Sequence, residues 1–237
     1  MSINVAAHRS DHFGAGASPT SGTLTTQATG STIVVFVGWY DSGADITSVT
    51  DNKGNGNYTQ IQSSIQYAGD TNFRAAMFYK QNAAGGSGHT VTANFDESAD
   101  LAAIFFIEVT GGLTSGILDQ NPAGNTDTTD PYTSNTTGTT AQANELALTC
   151  AQTYTTTAGP ETLNWSANSY TALDAETDPA NWTGGSAKKV LSATGTQQSS
   201  VSSSGAGAAA ALMFIATFKA AAEPPATSLF FGSGSTG

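Results

Sequence analysis

The chain has little charge and a strong excess of acidic over basic residues. Charged residues make up 11% of its 237 positions, against roughly 25% in ordinary soluble domains. Seven Lys and Arg stand against eighteen Asp and Glu, which gives a formal net charge of −11. A surface of this sign repels polyphosphates and anionic lipids. The composition therefore disfavours a nucleic-acid partner and a membrane surface as a partner.

Long apolar runs and cysteine pairs are also missing. The apolar stretches 33–37 and 208–216 fall far short of the ~20 residues that cross a bilayer. The N-terminal residues include no basic segment followed by an apolar one, so they do not resemble a secretory signal. Cys150 is the single cysteine, and it alternates with Leu146 and Leu148 in a strand-like run. This pattern predicts a small buried side chain rather than a nucleophile.

The ordered segments are short, β-branched or aromatic, and separated by Gly, Asn, Asp and Ser, which predicts an all-β chain. Segments 32–39 and 101–109 are apolar on both faces, as central strands are. The Ala-rich run 206–222 suits a helix by propensity, but the alternation of its large side chains favours a strand. Further strands are predicted at 58–65, 73–80, 89–95, 145–152, 188–193 and 212–219. We expect a two-sheet antiparallel β-sandwich of the jelly-roll or immunoglobulin-like type.

Glycine-rich connections indicate how these strands follow one another. Residues 51–57 carry Asn-Gly turn chemistry, and residues 83–89 form a second glycine-rich connection. Both predict hairpins whose flanking strands are antiparallel neighbours. The Thr-rich stretch 111–144 is predicted to be a long loop with short edge pieces.

The predicted sandwich carries extended arms at both ends. We assign residues 1–27 to an N-terminal arm, 28–219 to the sandwich and 220–237 to a C-terminal tail. Pro224 and Pro225 stop regular structure at the start of that tail. The arms are expected to make intermolecular contacts.

Several blocks of core and turn residues follow one another in a characteristic order along residues 30–219. They are a buried strand, an Asp-x-x-Gly-Asn turn, an aromatic strand before a Gly-rich turn, a His-Thr-Val-Thr segment and a strand that ends in Glu-Val-Thr-Gly. The residues concerned are Asp51, Gly54, Asn55, Phe78, Tyr79, Lys80, Asn82, the segment 89–92 and the segment 108–111. This order resembles a β-sandwich module family found in tailed-phage structural proteins and beside bacterial secreted enzymes. The resemblance implies the fold and transfers no catalytic residue.

Candidate catalytic groups are few. The three histidines, His8, His12 and His89, lie in the predicted arm and at a strand start, and no Gly-x-Ser-x-Gly motif is present. A serine hydrolase needs a nucleophile elbow and a positioned base. We therefore predict that the protein is not an enzyme.

Acidic clusters are interpreted as solvated turns. Asp96, Glu97 and Asp100 are close enough in sequence to suggest a glycosidase pair, but such clusters usually lie in polar loops. Residues 119–130 share part of the spacing of a calcium loop, with Ala123 at the fifth position and Asp130 where a bidentate Glu is expected. No metal and no cofactor is expected.

Two groups of aromatic residues are candidate binding sites. Side chains in the polar stretch 164–182 are predicted either to stack on sugar rings or to pack over the end of the sandwich: Trp165, Tyr170 and Trp182. A second group lies in the Pro- and Gly-flanked tail and has no core of its own to enter: Leu229, Phe230 and Phe231. This group predicts a contact with a partner.

These features predict a non-enzymatic structural protein of a tailed-phage virion, a capsid decoration or cement protein on the outer shell surface. It would be made in the host cytoplasm without a signal peptide. Its expected partners are the major capsid protein, further copies of itself, or both, in a homo-oligomer or bound to the lattice. The exterior is favoured because packaged DNA would repel an acidic protein. The alternative is a carbohydrate-binding module or adhesin that binds a surface glycan.

Overall fold

The computed structural model describes residues 2–41, 43–155, 161–165, 167–178, 182–205 and 207–222. Its regular elements are nearly all strands, with one 3-10 turn at Ala167–Ser169. The strands are β1 (Asn4–Phe13), β2 (Ser31–Tyr40), β3 (Ile46–Asp51), β4 (Thr59–Tyr67), β5 (Asp70–Ala83), β6 (Val91–Phe95), β7 (Leu101–Thr110), β8 (Asn125–Asp127), β9 (Tyr132–Thr133), β10 (Glu145–Thr155), β11 (Glu161–Asn164), β12 (Thr171–Asp178), β13 (Trp182–Val190), β14 (Ser200–Gly205) and β15 (Ala208–Lys219).

Two five-stranded antiparallel sheets form the sandwich that the sequence predicts. The N-terminal sheet has the order β1-β7-β2-β5-β4, and the C-terminal sheet has the order β12-β13-β10-β15-β8. The Phe36 ring lies 5.6 Å from the Phe105 ring of its own sheet and 5.7 Å from the Phe214 ring of the other. Cys150 is buried in this same core, as predicted, and burial raises the pKa of its thiol.

Smaller sheets cover the outer faces of both main sheets. β3 and β6 pair with each other and pack over the outer face of the N-terminal sheet, against Trp39 and Phe106 among others. The sheet β11-β14-β9 covers the outer face of the C-terminal sheet in the same way, against residues such as Met213. Central strands that are apolar on both faces need cover on both faces. The two predicted sheets are present, and two smaller sheets cover them, so the sandwich has four layers.

The two glycine-rich connections do not form the hairpins that the sequence predicts. Residues 52–58 lead from β3 to β4, and residues 84–90 lead from β5 to β6, and in each case the two strands lie in different sheets. The Asp51 carboxylate accepts hydrogen bonds from the backbone of Lys53 and Asn55, at 2.9 and 3.2 Å. The first loop is thus held by a side chain and needs no strand pairing across it.

The segment predicted as an N-terminal arm is part of the sandwich. β1 pairs antiparallel with β7 from Asn4 opposite Thr110 to Phe13 opposite Ala102. Farther along, Leu24 forms an isolated bridge with His89. β1 escaped prediction because its exposed and half-buried polar residues hide the alternation of an edge strand.

The C-terminal half shows one confirmed prediction and one correction. The Ala-rich segment forms β15, the strand that pairs with β10. The strand predicted at 188–193 instead runs from Trp182 to Val190, because Gly184 and Gly185 conceal its first half. Both glycines lie beneath aromatic rings. A Cβ added at Gly185 would lie 3.5 Å from Trp165 Nε1.

The two halves of the chain repeat one topology. The strand order of the N-terminal sheet is β1-β7-β2-β5-β4. Read from its β8 edge, the C-terminal sheet has the corresponding order β8-β15-β10-β13-β12. The outer sheets β3-β6 and β11-β14 occupy equivalent places in the chain order. The chain therefore builds the same half-sandwich twice.

Individual hydrogen bonds recur in both halves. Gly86 donates its backbone N–H to Thr26 Oγ1 at 3.1 Å, and Gly195 donates its backbone N–H to Thr140 Oγ1 at 3.2 Å. The backbone N–H groups of these two threonines in turn donate to the carbonyls of the same two glycines, at 3.2 and 3.1 Å. Equivalent pairs involve Ser21 with Val91 and Ser134 with Ser199. Threonine and serine hydroxyls thus attach the segment before each central strand to the outer sheet.

Candidate functional site

The three aromatic residues predicted as a stacking platform are buried. Trp165, Tyr170 and Trp182 are 3%, 5% and 1% exposed. Trp165 and Tyr170 pack in the core between the C-terminal sheet and its outer layer, and Trp182 packs in the central core. The expectation that they form an exposed platform is wrong, because all three rings pack inside the sandwich. Their polar sequence neighbours misled the prediction, because Trp165 and Trp182 lie beside glycines of β13 rather than on a loop surface.

The predicted partner-binding residues Leu229, Phe230 and Phe231 lie outside the described residues. The described chain ends with Ala220 to Ala222, beside the start of the segment that links the two halves. There, Ala221 donates its backbone N–H to the Gly111 carbonyl at 2.9 Å. The tail therefore begins at this corner of the sandwich.

A buried polar network joins three of the residues that carry the resemblance, Asp51, Asn55 and His89, to Tyr58 and Thr26. Asp51 Oδ2 accepts hydrogen bonds from Asn55 Nδ2 at 2.5 Å and from the Tyr58 hydroxyl at 2.8 Å. His89 Nε2 lies 3.4 Å from the same oxygen, and both side chains are fully buried. His89 Nδ1 lies 2.9 Å from Thr26 Oγ1. Three segments distant in sequence meet here, under the outer sheet β3-β6.

Burial and hydrogen bonding set the charges in this network. Burial alone would raise the pKa of Asp51, but the hydrogen bonds from Asn55 and Tyr58 outweigh it, and the pKa is lowered. Burial lowers the pKa of His89 more than the neighbouring Asp51 charge raises it. The network therefore holds a carboxylate and a neutral imidazole at neutral pH.

The arrangement of Asp51, His89 and Thr26 has the residue types of a catalytic triad but stabilises the fold instead. A triad needs a nucleophile that a substrate can reach. Thr26 is 5% exposed, and its hydroxyl also accepts the Gly86 N–H. The network fastens the segment before β2 to the outer layer. The sequence pointed to Asp51, Asn55 and His89 through the resemblance, but nothing near Thr26 indicated its part.

A second polar cluster lies where the edge strands β1 and β12 face each other. His8 Nδ1 lies 2.6 Å from Asp174 Oδ2, and Ser10 donates to Glu176 Oε1 at 2.7 Å. The His12 ring contacts the Trp182 ring edge-on, with centroids 5.5 Å apart. These side chains close one side of the sandwich. The two histidines lie in the predicted arm, and their partners lie more than 160 residues away along the chain, so no local pattern reveals these contacts.

The acidic segments bind the protein's own backbone. Asp96 Oδ1 accepts the Asp45 N–H at 2.8 Å. In the segment compared with a calcium loop, Asp119 accepts the Ala141 N–H at 2.8 Å, and Asp127 accepts the Thr133 N–H at 2.8 Å. Over the described ranges, no group of three or more His, Cys, Asp or Glu side chains is placed to hold a metal ion.

Glu145 and Asp119 form an acidic pair at the start of β10. Glu145 is fully buried, and its Oε2 atom has no hydrogen-bond partner of good geometry. Asp119 Oδ1 lies 3.9 Å from Lys219 Nζ. Burial raises the pKa of Glu145, against a contact with Thr217 that lowers it, and the Asp119 charge raises it further. Ionised Glu145 therefore destabilises the fold.

We expect Glu145→Gln to raise the free energy of unfolding by about 1 kcal/mol near pH 8. Because the pKa of Glu145 is higher in the folded protein, the fold loses stability as pH rises above the ordinary value of 4.5. The gain should vanish near pH 4, where Glu145 is mostly protonated in the folded protein. Urea unfolding at both pH values measures it, with Glu97→Gln at an exposed site as the control. An unchanged or lowered stability of the Glu145 variant near pH 8 contradicts this account.

The described part of the chain includes no helix long and apolar enough to cross a membrane. Comparison with family models, curated proteins and solved structures found no match to this chain.

Proposed function

We propose that this chain is a non-enzymatic virion structural protein, a decoration protein on the outer surface of a tailed-phage capsid. The observation that carries the proposal is the polar, acidic surface formed by the described residues. Within the described ranges, Val190 is the one large apolar side chain that is exposed, at 48%. Together with the net charge of −11, this gives a body with a polar, acidic surface and filled layers. Such a body suits the outside of a particle.

Acidity supports the exterior position. An acidic protein that faced packaged DNA would be repelled, whereas on the outside it adds charge that keeps particles apart. A protein that binds only the assembled shell stabilises that shell by mass action. The proposed partners are the major capsid protein and neighbouring copies of this chain in the lattice.

The titratable side chains that catalysis would require are engaged in structural contacts. His8 is paired with Asp174, and His89 is buried against Thr26. The Cys150 thiol lies inside the central core. These contacts support a structural role for the residues concerned.

Attachment is assigned to the tail residues Leu229, Phe230 and Phe231. The described surface offers little apolar area, and two adjacent phenylalanines that become buried on a neighbour contribute a few kcal/mol. We expect Phe230→Ser/Phe231→Ser to weaken binding to capsids at least about tenfold, which corresponds to 1.4 kcal/mol. Co-sedimentation of the purified variant with capsids that lack the protein measures the effect.

The matched control is Thr227→Ala/Ser228→Ala, which changes polar positions of the same tail. It should bind capsids as the unchanged protein does. Equal capsid binding by the phenylalanine variant would show that these side chains are not the anchor. Failure of the unchanged protein to bind capsids would overturn the proposed function itself.

A further inference from the structure

The chain contains one Asn-Gly dipeptide, Asn55 followed by Gly56, in the loop that leads from β3 to β4. Asparagine before glycine is the pair that deamidates most readily, because glycine has no side chain to hinder the approach of its backbone nitrogen to the asparagine side chain. Gly56 is exposed, and its φ of 70° lies in the left-handed region. The loop therefore presents a chemically reactive dipeptide at the surface.

The folded protein holds the Asn55 side-chain amide by hydrogen bonds at both of its polar atoms. Nδ2 donates to Asp51 Oδ2 at 2.5 Å and to the Ala84 carbonyl at 2.9 Å, and Oδ1 accepts the Ala84 N–H at 2.8 Å. The backbone N–H of Asn55 donates to Asp51 Oδ1 at 3.2 Å. The amide thus joins the β3–β4 loop to the connection between β5 and β6.

Deamidation requires the side-chain bonds of Asn55 to break. The Gly56 nitrogen attacks Asn55 Cγ and forms a bond to it, while the Cγ–Nδ2 bond breaks. The amide nitrogen leaves as ammonia with the proton that the Gly56 nitrogen loses. Water then opens the succinimide ring and leaves aspartate or isoaspartate at position 55. Because Nδ2 departs and Cγ joins a five-membered ring, the amide must first separate from Asp51 and Ala84.

The product cannot rebuild these contacts. A carboxylate at position 55 donates no hydrogen bond, so Asp51 Oδ2 and the Ala84 carbonyl each lose a donor. It also places a second negative charge against the Asp51 carboxylate, whose side chain is fully buried. Like charges that are close together and shielded from water repel strongly. The reaction therefore removes the attachment between the two loops.

We propose that Asn55 is a site of spontaneous deamidation that the Asp51 network protects, and that the modification permanently loosens the outer sheet β3-β6 where it meets the β5–β6 connection. The rate should follow the fraction of molecules in which the loop is open. Asn57 lies in the same loop but precedes Tyr58, whose side chain hinders the attack, so it serves as an internal reference. This inference concerns the isolated protein and does not depend on capsid attachment.

The test compares the folded full-length protein with the same protein unfolded in guanidinium chloride, both kept at mildly alkaline pH. Trypsin releases residues 54–74 as one peptide, in which mass spectrometry measures deamidation at Asn55 and at Asn57. We expect Asn55 to deamidate at least about tenfold faster in the unfolded protein than in the folded one. In the unfolded protein Asn55 should also react faster than Asn57, and Gly56→Ala should slow its reaction.

A second measurement tests the effect on the fold. Asn55→Asp reproduces one product, and Asn57→Asp makes the same change of charge at an exposed neighbour. We expect Asn55→Asp to raise the ratio of unfolded to folded protein at least about tenfold, and Asn57→Asp to change it less than about twofold. In aged samples of the unchanged protein, chains modified at Asn55 should be the first that limited proteolysis digests, which tests the same point if Asn55→Asp does not fold.

Two results would overturn the proposal. Equal deamidation rates at Asn55 in the folded and the unfolded protein would show that the network does not protect this residue. Modified chains that resist unfolding and proteolysis as the unchanged protein does would show that the modification leaves the outer sheet attached. Neither result bears on whether the protein binds capsids, which co-sedimentation measures separately.

Discussion

Replacing Asp51 by alanine should lower the free energy of unfolding by about 3–5 kcal/mol. The substitution leaves the Tyr58 hydroxyl, the Asn55 side-chain amide and two backbone N–H groups without their acceptor. It also removes the carboxylate beside buried His89. Because the pKa of Asp51 is lowered, its contribution is present above the ordinary value of 3.8 and is lost as pH falls through the lower folded value.

Urea unfolding near pH 7 measures this effect, and Asp45→Ala is the matched control. The Asp45 side chain is 64% exposed and pairs with Arg74, so its loss should cost at most about 1 kcal/mol. Asp51→Asn should also destabilise the protein, because the amide NH₂ group would replace one carboxylate oxygen and face groups that donate hydrogen bonds. A loss below about 1 kcal/mol for Asp51→Ala would show that the network does not hold the outer layer.

Trp182→Ala should destabilise the protein by about 3–5 kcal/mol. The ring is 1% exposed and fills space in the central core beside the His12 ring. A Cβ at Gly184 would lie 3.3 Å from it. Gly184 has no side chain of its own that could move into the cavity that alanine would leave.

Trp182→Phe is the control for this prediction. The Trp182 Nε1 atom is buried without a hydrogen-bond partner, so phenylalanine loses volume but no hydrogen bond. We expect a cost of about 1–2 kcal/mol by thermal or urea unfolding. If Trp182→Ala instead keeps its stability and abolishes sugar binding, the ring is exposed and the stacking platform must be reconsidered.

The sequence was informative where the apolar pattern has two faces. β2, β7 and β15 were predictable because their odd and even positions both carry large apolar side chains, which is typical of a strand buried on both faces. The burial of Cys150 followed from the same alternation. The prediction failed at residues 51–57, because Asn-Gly chemistry suits a loop organised by the Asp51 side chain as well as it suits a hairpin.

The repeated halves left little trace in the sequence. Their common contacts are hydrogen bonds from serine and threonine hydroxyls to backbone groups, such as those of Thr26 and Thr140. In a Thr-rich chain such residues do not stand out. β1 and β12 were missed for a related reason, because a polar edge strand resembles a loop.

The candidate sites were less predictable than the fold. The resemblance named Asp51, Asn55 and His89, but their network also depends on Thr26 from the segment before β2. Likewise, contacts between His8 and Asp174 join strands of different sheets. Local patterns report which face of a strand is apolar, whereas such sites depend on which strands become neighbours.

The most direct test of the proposed function is the protein content of purified virions from the phage that encodes this chain. Quantitative mass spectrometry of intact particles should find the chain in many copies, in a fixed ratio to the major capsid protein. Antibody labelling should place it on the outer shell. Its absence from intact particles, or its presence only inside emptied ones, would contradict the account.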